Sequence, residues 1–498
     1  MNKFKKFLCV GLTSLLALST SACGGGGGGN TSTDESTVNS ESTNVEITGE
    51  VEFAVLLAGY GETPYRELAK AYMAKNPGVQ VKLRFDYEIN SNVENQVNNG
   101  VNVADVYSVR DLTQIINFGL NGKAMNLSSM LDTTFGEGYA EANLPVRANL
   151  DSKAVSACTL NGKTYCFPEY SSVTGFVYNA TLFDQYGWQI PTTTKELEDL
   201  CKQIISDTNG TVNPITYCGA AADGYLYLAI DNWLYQYAGI ANLDEFYDYG
   251  SAELFAPTSK ISQGKQLAHE NLVKFLADRN DGGYARNGSM AIDHHQAQGE
   301  LISGTSAMML NGSWFENEMS AVLEQNPGVE MGMFAFPEMS DASGNILHAE
   351  GYTTQQNKRV LDASYGAYYF IPENCDNKEV AVDFLKFLCS DEASIIYTKY
   401  TNAVRPVKYN LDPTSADYAD LSFFGKSVIG IANSCYLYSA YSTSPLAIDG
   451  VVSLYPKGSY WCKLVLQDPV TNTPESKIVE DYNYVKGNWA RWQEEYGI

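Results

Sequence analysis

The chain has 498 residues, 44% of them hydrophobic, and a formal charge of −25 at pH 7. That length accommodates two domains with a full-sized core. The acidity argues against nucleic acid and anionic membrane surfaces as partners, since both would repel such a body.

At the start, Lys3, Lys5 and Lys6 lead into the apolar run Phe7 to Leu18, followed by the small residues Ser19 to Ala22 and then Cys23. About a dozen apolar residues are too few to cross a bilayer, and the layout is that of an export signal. Cys23, followed by the glycines Gly24 to Gly29, resembles a bacterial lipoprotein lipobox, with Thr20 where that motif usually has an aliphatic residue. The resemblance implies removal of residues 1–22, lipidation of Cys23 and anchoring at the outer face of the cell membrane. A soluble secreted protein cleaved nearby is the alternative. Without its leader lysines the body carries −28 (30 basic against 58 acidic residues). Residues 23–50 are, after Cys23, nearly all Gly, Ser, Thr, Asn and acids with almost nothing to bury, the composition of a disordered tether. Its typical reach is roughly 25–30 Å.

Val51 to Leu57 is predicted as a strand, and Ala58 to Pro64 as a loop opening a helix, with Thr63 as N-cap and Pro64 in its first turn. The helix stops at Asn76-Pro77-Gly78, and Val79 to Phe85 alternates as a strand. In such β-α-β sheets ligands sit beyond the carboxyl ends of the strands, where Tyr60 and Glu62 lie. A further strand, Ala104 to Val109, delivers Arg110 and Asp111 to the same edge. Strands and helices continue to alternate, which predicts an α/β body. Asn76-Pro77-Gly78-Val79 recurs as Asn326-Pro327-Gly328-Val329, through two similar lobes or through chance reuse of a common turn.

Of ten cysteines, Cys9 lies in the leader and Cys23 takes the lipid, which leaves eight. Cys158 and Cys166 flank an Asn-Gly hairpin turn and could face each other across it. Connectivity cannot be read from sequence, so disulfides and small buried thiols are both open.

Five segments in order resemble the extracellular solute-binding proteins of the sugar-binding type, relatives of the maltose-binding protein. They are Tyr65 to Phe85, Asn161 to Pro168, Phe176 to Asn179 with Leu182-Phe183, Met308 to Trp314, and Phe370-Ile371-Pro372 through Ala381, Phe384, Leu385 and Phe387. The resemblance spans most of Val51 to Pro406. It implies a two-lobed clamp with a cleft and a hinge of crossing strands, near Pro168 to Ser171, Phe336-Pro337 and Arg405-Pro406. The first lobe would hold residues 51–168 and 337–404, the second 169–336 and 405–498.

The same resemblance implies that Trp314 stacks on a sugar and that Asn311 belongs to its motif, with a core role for Trp314 as the alternative. Trp233 and Tyr170 are further aromatic candidates. Asp111 either accepts sugar hydroxyls or caps the helix that follows. Glu62, Arg405 and Tyr352 are candidates by position. Tyr436, Tyr438, Tyr441 and Trp461 are left without a role. No His-Glu-x-x-His or Gly-x-Ser-x-Gly motif is present, and Asp420 stands where a phosphate loop ending at Gly425-Lys426-Ser427 needs its first glycine. The expected function is a monomeric, cofactor-free receptor that binds a carbohydrate and hands it to the permease of an ABC importer. A non-sugar ligand (peptide, polyamine or ion) in the same clamp, or a surface enzyme on polysaccharide, are the alternatives.

Overall fold

Strand β1 (Gly49–Leu56) turns buried from Phe53 onward because both its faces are covered, and it pairs in parallel with β2 (Val79–Asp86) and β3 (Val106–Val109). A computed structural model of the chain describes residues 47–220, 223–442, 444–456 and 461–498. The expected leader, Cys23 and nearly all of the tether lie outside the described residues.

Beside β3 lies β12 (Tyr365–Phe370), and beyond it β6 (Phe167–Ser171), which gives a five-stranded sheet of order β2-β1-β3-β12-β6. A second sheet has the order β10-β7-β9-β8, built from β7 (Thr174–Asn179), β8 (Asn213–Thr216), β9 (Ser306–Gly312) and β10 (Met331–Phe334). The hairpin of β4 (Thr159–Leu160) and β5 (Lys163–Thr164) closes at the predicted Asn-Gly turn, with both Asn161 and Gly162 at positive φ. Strands β11 (Arg359–Asp362) and β13 (Cys435–Tyr438) form a separate parallel pair.

Each sheet has its own core. Phe53, Tyr72, Phe384 and Phe387 pack on the first, and Phe176, Trp233, Phe275 and Leu310 on the second. Two lobes result. The helix predicted after the first strand is Thr63–Lys75, with Glu62 rather than Thr63 at the cap position, a one-residue shift of the kind helix ends allow.

Three segments connect the lobes. The first is Ser172-Val173, between β6 and β7, and the second is Ala363-Ser364, between β11 and β12. The Ser172 amide donates to the Ser364 carbonyl (3.0 Å), so the two run side by side. The third follows Val404, whose carbonyl accepts from Ser171 N (2.9 Å).

The second connection does not fall at Phe336-Pro337, where the chain was expected to return. Pro337 O accepts from Trp233 Nε1 (3.0 Å) and Phe336 O from Gln236 Nε2 (2.7 Å), and both donors stand on the second lobe's helix Asp223–Tyr247. Held there, residues 338–362 stay with the second lobe, with Thr194 N bonded to Glu338 O and Ala349 N to Tyr237 O.

All eight cysteines among the described residues are buried. Burial pushes the Cys158 thiol well above its ordinary value, its hydrogen bond to Cys166 adding to the shift.

Candidate ligand-binding site

The loop after β1 carries Gly59 and Tyr60 to the seam between the lobes. The Tyr60 ring stands perpendicular to Tyr170 at 5.0 Å, and its hydroxyl bonds the Ser313 hydroxyl of the second lobe at 2.9 Å. Tyr170 in turn lies near-parallel to Tyr397 at 6.1 Å. A side chain at Gly366 would collide with the Tyr170 ring, since a Cβ there would stand 2.1 Å from Cζ. Burial raises the Tyr170 hydroxyl to about 12, although the neighbouring Arg110 guanidinium pulls it back down.

Opposite this floor, β9 ends at Gly312 and the chain turns through Ser313 and Trp314 into the one-turn helix Phe315–Glu318. The indole of Trp314 folds over Gly312, where a Cβ would come within 2.3 Å of the ring. It is half-buried, packs against the first lobe's core, and donates from Nε1 to the Tyr225 hydroxyl at 3.4 Å. Four residues on, Glu318 Oε2 accepts from Gln298 Nε2 (2.8 Å). Its Oε1 would lie 3.0 Å from a Cβ at Gly59 of the first lobe. An aromatic face, two phenol hydroxyls and a carboxylate therefore meet where the lobes touch.

Of the residues singled out in the sequence, the structure brings Tyr60, Tyr170 and Trp314 together at this seam. Arg405 lies beneath them, buried, with Nε donating to Glu169 O (2.9 Å) and its guanidinium between Tyr369 (5.4 Å) and Tyr397 (5.3 Å). Asn311 is fully buried in β9, and its side-chain oxygen accepts from Gly312 N (2.8 Å), which shapes the turn to Trp314.

The others go elsewhere. Trp233 is fully buried among Phe275 and Phe336 and belongs to the second lobe's core. Tyr352 stacks on His348 (3.7 Å, 2°) beside the kink at Gly239, whose φ of 73° breaks the long helix. Glu62 pairs with Arg66 one turn along its own helix. Asp111 is exposed and caps helix Leu112–Leu120 by accepting from Gln114 N (3.0 Å).

Glu318, Gln298, Tyr225 and Glu169 also stand at or beneath the seam, and no sequence motif marks them. Only Glu318 left a trace: at four residues past Trp314 it shares a helical face with it. Glu169 is fully buried and accepts from Tyr65 OH (2.6 Å) and from the Ser108 hydroxyl. Burial raises its carboxyl above the ordinary range against the pull of those donors. Among the described residues no group of three or more His, Cys, Asp or Glu is placed to hold a metal ion, and no helix is long and apolar enough to cross a membrane.

Residues 58–395, about two thirds of the chain and including Tyr60, Tyr170, Trp314 and Glu318, match the family model of the bacterial extracellular solute-binding proteins. The chain belongs to that family. This solute-binding protein is 22% identical over 349 residues to the multiple sugar-binding protein of Streptococcus mutans, covering 70% of this chain and 73% of the relative. Its fold is that of solved two-lobed binding proteins. The GacH receptor of Streptomyces glaucescens, solved unliganded and with acarbose, is 17% identical at a TM-score of 0.58, covering 89% of this chain and 98% of the receptor. The cyclic α-maltosyl-1,6-maltose binding protein of Arthrobacter globiformis is 17% identical at a TM-score of 0.57, covering 88% and 98%. Family and relative alike are named as binding proteins rather than enzymes.

Proposed function

We propose that this solute-binding protein captures an oligosaccharide in the seam between its lobes and delivers it to the membrane permease of an ABC importer. The carrying observation is the half-open indole of Trp314 beside Tyr225 and Glu318. Sugars offer CH faces that pack on aromatic rings and hydroxyls that need directional acceptors, and this shelf offers both. The names of its relatives point the same way: multiple sugars, acarbose and a cyclic maltosyl-maltose.

The protein works as a monomer, without a cofactor, at the outer face of the cell membrane through a lipid on Cys23. Lobe boundaries follow the three connections, with residues 47–171 and 365–409 in the first lobe, and 174–362 and the chain from Leu411 onward in the second. The test is a thermal-shift screen with glycans, peptides and polyamines. A ligand at 100 times its Kd adds about 2.7 kcal/mol of stability. A shift with glycans alone is expected, and a shift with a peptide or polyamine alone overturns the carbohydrate reading.

A further inference from the structure

Glu318 ends the one-turn helix Phe315–Glu318, and its backbone amide bonds back to Trp314 O (3.0 Å), which brings its side chain beside the indole. The carboxylate is half-buried, and its two oxygens are treated differently. Oε2 is held by Gln298 Nε2 at 2.8 Å. Gln298 is fully buried in helix His294–Ile302, and its own oxygen, Oε1, has no hydrogen-bond partner among the described residues. An amide buried with an unsatisfied acceptor costs stability, so the donor it presents to Glu318 is the interaction that fixes its orientation.

Glu318 Oε1 has no protein donor among the described residues and faces the first lobe at Gly59. A Cβ at residue 59 would lie 3.0 Å from that oxygen and 3.4 Å from Trp314 Cβ, so glycine is what lets the first lobe's loop approach the carboxylate this closely. A carboxylate only accepts hydrogen bonds, and its bonds to hydroxyls are charge-assisted and strong. A site built to bond a hydroxyl discriminates sharply against a ligand lacking it, because its buried polar group is left unpaired.

We infer that Glu318 is a specificity-determining ligand-binding residue. Its Oε1 accepts a hydroxyl of the sugar ring packed on Trp314, Gln298 holds the carboxylate in place, and Gly59, without a side chain, lets the first lobe's loop close on the contact. This rests on the carbohydrate reading, and the experiment separates the two.

Wild type, Glu318→Gln, Glu318→Ala and Gly59→Ala are titrated calorimetrically with raffinose, maltotriose, chitotriose and xylotriose, and then with monodeoxy analogues of whichever glycan binds. Glu318→Ala weakens binding on the order of ten- to hundredfold, the range of a hydrogen bond to a charged group. Glu318→Gln weakens it less, and Gly59→Ala weakens it with Glu318 intact. Melting temperatures of the unliganded proteins stay together. Wild type rejects one monodeoxy analogue that Glu318→Ala binds as well as the parent sugar, a coupling that a merely structural role would not produce. If Glu318→Ala fails to fold, the near-isosteric Glu318→Gln carries the same comparison. Wild type that binds a glycan while both Glu318 variants bind it equally tightly overturns this assignment alone. Wild type that binds no glycan overturns the carbohydrate reading and this assignment with it.

Discussion

Trp314 and Trp233 put the same side chain to opposite uses. Trp233 is sealed in a core with its Nε1 satisfied by Pro337 O. Trp314 keeps part of its ring open at the seam. Trp233→Ala should therefore cost about 3–5 kcal/mol of stability, with little change in affinity among the molecules that fold. Trp314→Ala should do the reverse, costing on the order of 2–4 kcal/mol of binding while the melting temperature holds. Calorimetric affinity and melting temperature measured on both variants give the check. Equal melting losses would return Trp314 to the core. In sequence these tryptophans look alike, because burial depends on residues far along the chain. Motif order separated Trp314 from the rest, and nothing local marked Trp233 as internal.

A second residue-scale expectation concerns the carboxyls Asp231 and Asp362. Burial raises Asp362 to about 7 against the pull of the Ser364 hydroxyl. Asp231 too is held well above its ordinary range, by burial first and the charge of Asp362 second, with Lys265 drawing it back. Tyr235 and Tyr247 lie within the same field. The folded chain thus keeps protons that the unfolded chain releases from about pH 4 upward, so these groups reduce stability as pH rises from about 4 to about 7. Asp362→Asn should flatten that slope and melt higher than wild type at pH 8. Identical pH–melting curves for the two proteins would exclude the pair as its source.

At the scale of elements, the opening β-α-β unit was legible because its apolar runs are uninterrupted and its turns carry Pro and Gly. The Asn-Gly hairpin was legible for the same reason. The path of residues 337–362 was not. Pro337 reads as a crossing, yet two side chains 100 residues or more upstream in sequence, Trp233 and Gln236, capture the adjacent carbonyls. Such a long-range bond has no local signature. The C-terminal helix Pro474–Tyr496 is fastened similarly. Lys265, 4% exposed, pairs with Asp481 at 3.1 Å and lies 4.4 Å from the Tyr455 ring centre and 5.1 Å from that of Trp461. Removing one partner of a buried pair strands the other, at about 3–5 kcal/mol. Asp481→Ala should lower the denaturation midpoint accordingly and speed amide exchange in that helix. An unchanged midpoint would mean that the pair contributes nothing net.

For the whole molecule, the three connections bonded side by side define a hinge. Scattering should show a smaller radius with saturating glycan than without it. An unchanged radius would leave a rigid pocket. Cys23→Ala should move the protein from the membrane fraction to the medium or leave its leader uncut. A variant processed normally yet still membrane-bound would overturn the lipid anchor. Both lobes were anticipated from motif order, whereas Glu318, Gln298 and Tyr225 of the candidate site were not. Its members lie on separate elements and meet only after the two sheets are folded and joined.

The position of β12 has a further consequence, for the timing of folding. It lies between β3 and β6, two strands made much earlier, and is itself complete only at Phe370. Until then β3 and β6 expose edges with no strand between them, and the first sheet has no continuous face on which to pack its helices. Pairings across such sequence distances form slowly, since loop closure precedes any gain from contact. The late strand thus builds a delay into the folding of this chain, placing the last strand of its first sheet some 200 residues behind β6.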